Sequence, residues 1–167
     1  MSYYSIEDIA DIASAQTLEE LVRIAFLVIS RMPGNICWVA GPLTSGSRTE
    51  EENRKRLCDV IVRLKERGGA IINYLPLQKQ ALNILFREFR KKLPRREKKR
   101  KLLKAEKLAI QELLRDKLYA PIFGSGKIHI LLILPESASS TNVQFFKGAA
   151  LASGIPIRQI TEEHIPR

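Results

Sequence analysis

Long hydrophobic runs are missing from this chain. Near the N-terminus the longest uncharged apolar stretch, Ile24 to Ser30, is seven residues between Arg23 and Arg31, whereas a membrane helix needs about 20. Met1 to Asp8 is polar and acidic, without the basic-plus-apolar pattern of a secretory leader. The expectation is a soluble cytoplasmic protein with no membrane partner. Cysteine is scarce: Cys37 and Cys58 are the only two. They suit buried thiols in a reducing compartment. No Cys-x-x-Cys occurs, and His129 and His164 stand apart, so a structural metal with four clustered ligands is not expected. No cofactor is expected either.

What is present is an ordinary globular composition, 45% hydrophobic and 28% charged over 167 residues. A chain of that size buries about two-thirds of its unfolded surface. Its net charge of +10 is concentrated. Between Arg87 and Lys104 there are eleven Lys or Arg and two Glu, so that stretch carries +9 and the other 149 residues about +1.

Periodicity predicts alternating helices and strands. Ser5 to Ala13 is helical, with Ile6, Ile9 and Ala10 or Ala13 on one side. Thr17 and Glu20 make a capping box for a second helix carrying Leu18, Leu21, Val22, Ala25, Phe26 and Ile29, ended by Pro33-Gly34. Asn35 to Gly41 is an apolar run of the kind buried in parallel sheets. A second capping box, Thr49 to Glu52, opens a helix that Gly68-Gly69 stops, and Ala70 to Asn73 is the next strand. Leu77 to about Lys92 is an amphipathic helix broken by Pro94. A charged helix is expected from about Arg95 to Leu118, then a loop through Pro121 to Gly126. Ile128 to Leu134 is a strand, Thr141 to Ser153 a helix, and Ile155 to Ile160 the last strand. This order implies an α/β, Rossmann- or flavodoxin-like three-layer fold with a parallel sheet. Residues 1–34 would be a helical extension packed on the core. Residues 35–167 would form the α/β domain, including a basic helical arm at 87–118.

In such sheets ligands bind beyond the carboxyl ends of strands. The candidates are Gly41 to Gly46, Asn73-Tyr74, and Pro135 to Asn142. The first and third are small, hydroxyl-rich and run into helix N-termini, which favour anionic or polar groups.

Trp38-Val-Ala-Gly-Pro-Leu43 followed by Glu52-Asn53-Arg54, Ile71-Ile-Asn73, and Leu134-Pro135 to Ser140 with Ala150 and Gly154-Ile-Pro156 resemble, in order and spacing, the nucleoside 2-deoxyribosyltransferase family. The resemblance covers about Asn35 to Ile160 without the basic middle. It implies a nucleoside or nucleotide ligand held by Gly41, Pro42, Leu43, Ser45, Asn53, Asn73, Ser140 and Asn142, and a homo-oligomer. It also implies cleavage of an N-glycosidic bond by a glutamate nucleophile, assisted by a strand aspartate. This chain departs at both places: the glutamate position is Phe146, on the site's wall, and the aspartate position is His129. Tyr74 replaces a proline, and Ser140-Thr-Asn-Val143 lacks the family's glycine. Loss of a covalent nucleophile costs on the order of 10⁴ to 10⁶ in rate. One reading is therefore nucleotide binding with catalysis lost or rebuilt. A second is an active N-glycosidase or deoxyribosyltransferase using a displaced carboxylate, Glu136 first, then Glu51, Glu52 or Asp116. A third is a nucleic-acid-binding module using Arg95, Arg96, Lys98, Lys99, Arg100 and Lys101, whose charges would release counterions from phosphates.

Overall fold

The computed structural model describes residues 3–43, 48–97, 101–135, 137 and 140–161. Its strands are β1 (Ile36–Ala40), β2 (Ala70–Ile72), β3 (Ile128–Ile133) and β4 (Ile157–Gln159). They form one sheet in the order β2-β1-β3-β4, every pair parallel. Helices flank it, giving the α/β class that the alternating pattern implies. Helix α3 (Glu50–Glu66) packs on β1 and β2, while α7 (Thr141–Ala152) packs on β1 and β3. From β1 the chain steps to one side, and from β3 to the other. Right-handed crossovers therefore put α3 and α7 on opposite faces.

Local chemistry explains the element boundaries. Thr49 accepts the Glu52 N–H at 3.2 Å, and Glu52 accepts the Thr49 N–H at 2.7 Å, closing the capping box of α3. Gly68, at φ +86°, takes the left-handed conformation that ends it. Asn35 to Gly41 and Ala70 to Asn73 lose a residue or two as strands. Their interiors, Trp38, Val39, Ile71 and Ile72, are buried as two-sided coverage requires.

The chain clusters into two compact units. One comprises residues 29–73 and 123–167, including the sheet; the other comprises 2–28 and 74–122. The second gathers two features that the sequence presents as separate, the N-terminal helices and the basic region. Helices α1 (Ile6–Ser14) and α5 (Lys104–Leu114) both pack on α4 (Leu75–Lys92). Gln80 Nε2 on α4 donates to the carbonyls of Ala13 at 3.2 Å and Ala15 at 2.9 Å. Tyr74 and Tyr119 meet edge to face in the same unit. Helix α2 (Leu18–Arg31) begins at the expected capping box.

Three expectations are corrected. The face of α1 read as apolar is turned outward: Ile6 and Ile9 are exposed, and Asp8 and Ile12 are buried instead. Asp8 is held there by its capping exchange with Ser5, a polar use that a hydrophobic count overlooks. The charged helix expected from about Arg95 to Leu118 begins later. α4 ends at Lys92, Arg95–Glu97 forms a short 3₁₀ turn, and α5 starts only at Lys104, where Glu106 accepts the Leu103 N–H. Pro94 ends the first piece, as the restriction on the residue before proline demands. Finally, the expected loop at Pro121 is helical. A π turn at Arg115–Tyr119, with the Ala120 N–H reaching back to the Arg115 carbonyl, leads into α6 (Ala120–Gly124). Pro121 then falls in the first turn of α6, where a missing N–H is tolerated.

Candidate functional site

The order β2-β1-β3-β4 has its topological switch point between β1 and β3, where the chain leaves for helices on opposite faces. Ligands of open α/β sheets bind outside the carboxyl ends of the strands at that place. The Leu134 N–H donates to the Ala40 carbonyl at 2.9 Å, carrying the β1–β3 ladder to its very end. A Cβ on Gly41 would stand 3.3 Å from Leu134 Cδ2, so glycine lets the two strand exits close together. Gly41, Pro42 and Leu43 are buried.

Asn53 stands on the first turns of α3, is buried, and donates from Nδ2 to the Leu43 carbonyl at 3.3 Å. It thus fastens the segment leaving β1 to α3. Asn73 follows β2 and is half-buried. Ser140 is the N-cap of α7, accepting the Val143 N–H at 3.4 Å, and is buried. Two further polar atoms between the end of β3 and the first turn of α7, Ser137 Oγ and Asn142 Nδ2, are enclosed and have no hydrogen-bond partner among the described residues. Ser137, inside the candidate span Pro135 to Asn142 but not singled out within it, is 3% exposed. Nothing in its identity separates it from its hydroxyl-bearing neighbours; only its enclosure does. Ser45 and Glu136 lie outside the described residues.

Phe146, on α7, is 0% exposed. Its ring stacks on Phe123 at 5.7 Å and tilts against Trp38 of β1 at 5.3 Å. Rather than bordering an open site, the side chain belongs to an aromatic cluster between sheet and helix. The alternative carboxylates have other positions. Glu52 is spent on its capping box, whose hydrogen bonds from Thr49 hold its carboxyl below the usual range. Glu51 and Asp116 are exposed.

His129 lies at the opposite end of the sheet from the switch point. It is the second residue of β3, is exposed, and its Nδ1 accepts the Ile36 N–H at 3.1 Å. The register between β1 and β3 shifts at Ile36/Cys37, and the imidazole covers the amide left out there. About four residues of strand, roughly 13 Å, separate it from the carboxyl edge. The thiols of Cys37 and Cys58 are half-buried rather than buried, and burial pushes both above the ordinary thiol value.

Among the described residues, no group of three or more His, Cys, Asp or Glu is arranged to hold a metal ion, and no helix is long and apolar enough to cross a membrane. The basic candidates Arg95, Arg96 and Lys101 are exposed, while Lys98, Lys99 and Arg100 lie outside the described residues. Comparison with protein-family models, curated proteins and solved structures finds no match.

Proposed function

We propose that the chain binds a nucleoside or nucleotide at the β1–β3 switch point and does so without the covalent step of the deoxyribosyltransferases it resembles. The observation that carries the reading is the pair of enclosed atoms, Ser137 Oγ and Asn142 Nδ2, that find no partner among the described residues between β3 and the first turn of α7. More than about 90% of buried polar groups find a partner, and each one left without costs about 1–3 kcal/mol. Two so near each other in the chain support a place there for a ligand's polar groups. Asn142 Nδ2 only donates, and a hydroxyl donates or accepts. A phosphate or ribose oxygen suits both, and the start of α7 adds amide donors and the positive end of its dipole.

The motifs Gly41-Pro42-Leu43 and Leu134-Pro135 support the nucleotide class through their resemblance. Phe146 argues against the family's double displacement, because a ring enclosed by Trp38 and Phe123 offers no nucleophile. Calorimetry against nucleosides and nucleoside 5′-monophosphates tests the reading. Millimolar or tighter binding is expected for at least one member, weakened about tenfold by Ser137→Ala or Asn142→Ala. Absence of binding by every member at millimolar concentration would sink it. Mass spectrometry on the same mixtures should find no released base.

A further inference from the structure

We infer that the outward face of α4 is a docking surface for single-stranded nucleic acid, separate from the mononucleotide site proposed above. The inward stripe of α4, Leu77, Ala81, Ile84 and Leu85, is buried. On other faces, at helical spacing, Asn83, Phe86, Arg87, Arg90 and Lys91 line an open concavity of about 420 Å³. Too open to enclose a small molecule, it suits a chain lying across it.

The chemistry of the five residues matches that of a single strand. Arg87 is already oriented: Nη1 donates to Gln16 Oε1 at 2.6 Å and Nη2 to the Gln16 carbonyl at 3.1 Å. A side chain held in place beforehand loses less freedom on binding. The side chain of Arg90 is exposed and has no hydrogen-bond or ion-pair partner among the described residues, so its planar fork is available to a phosphate. Lys91 shares Glu88, its Nζ 2.8 Å from Oε1. Just past the end of α4, Arg95 and Arg96 are exposed and also without partners among the described residues, extending the cationic row. The local excess of +9 between Arg87 and Lys104 supplies the attraction to a polyanion.

Phe86 decides between polyanions. It is half-buried within the concavity, so part of an aromatic ring is offered among the cations. The carboxylates of an acidic peptide make no stacking contact with that ring, and the bases of a duplex are already stacked away from it. An unpaired base stacks on it directly. The sequence alone obscures this, since no aromatic residue follows Phe89 in the basic stretch. The ring that matters precedes it by one helical turn, and Phe89 itself has Lys92 Nζ 6.0 Å from its centroid.

Fluorescence anisotropy of the full chain with a labelled oligothymidylate tests the inference, with the duplex and polyglutamate as competitors. Contacts from Arg87, Arg90 and Lys91 predict a slope of log affinity on log salt of about −2, at roughly −0.7 per phosphate. Arg90→Glu should lower affinity about tenfold and flatten the slope. Phe86→Ala should lower it about tenfold and leave the slope unchanged. Ser137→Ala should leave oligonucleotide binding as it was, which separates this site from the switch point. Circular dichroism confirms that each variant keeps its helices, and Arg90, being exposed, guards against a folding artefact at Phe86. No binding at low salt overturns the inference. So does equal competition by duplex or polyglutamate, or an affinity indifferent to both Arg90→Glu and Phe86→Ala.

Discussion

The carboxyl edge of the sheet and the outward face of α4 differ in the properties that govern what a surface selects. The first is enclosed and built of close-set backbone, hydroxyls and amides, with Gly41 admitting Leu134 and Asn53 tethering Leu43. The second is open and cationic, with Arg90 and half-buried Phe86 facing outward. An enclosed set of donors discriminates, because a wrong ligand leaves them unpaired. An open field of charge recruits broadly, and its grip fades with salt. The difference also divides the consequences of mutation: residues near the sheet edge hold the fold, whereas those on the helical face leave it alone.

That division can be broken experimentally. The largest effect is expected at Phe146, where replacement by alanine removes a ring stacked on Phe123 and tilted on Trp38. Urea unfolding should register a loss of about 3–5 kcal/mol; a loss below about 1 kcal/mol would mean that the ring is no part of the core. Asn53→Ala leaves the Leu43 carbonyl without its donor and should cost about 1–3 kcal/mol. His129→Ala frees the Ile36 amide, with a cost of about 1 kcal/mol and faster hydrogen exchange at Ile36. At the other end of the scale, Arg90→Glu should change stability by no more than about 0.5 kcal/mol. A large loss there would erase the contrast.

A pH titration sharpens the comparison. Hydrogen bonds from backbone N–H groups hold Glu20 and Glu52 below the usual carboxylate range. Groups lowered on folding stabilise the native state above their unfolded pKa and lose that contribution as pH falls through the folded value. Acid should therefore weaken the N-termini of α2 and α3, and Glu52→Gln should remove the part belonging to α3. Unfolding midpoints measured between neutral pH and pH 3 check the sign.

Much of the fold was legible because the signals were local. Thr17 with Glu20 and Thr49 with Glu52 each mark a helix start within four residues, and the hydrogen bonds lie where those pairs imply. The apolar runs at Ile36 and Ile128 became paired strands for the same reason. Long-range facts were not legible. Neither Gln80 nor Arg87 announces that it reaches carbonyls near residue 15. The π turn before Pro121 reverses the usual meaning of a proline, because one extra residue per turn shifts it into a new first turn. At the switch point the motif residues were visible as a list, but the burial of Ser137 depends on the whole packed surface and has no signature in its neighbours.

Strand order has a further consequence for how the chain comes to be made. β1 lies in the middle of the sheet, yet one of its neighbours begins 92 positions later, with Ile36 registered against Ile128. On the ribosome, the central strand must wait until Ile128 to Ile133 have emerged before its second side is paired. Contacts so far apart in sequence slow folding and prolong exposure of apolar edges. A fragment ending before Ile128 would expose β1 along one edge, and such fragments should aggregate where the full chain does not.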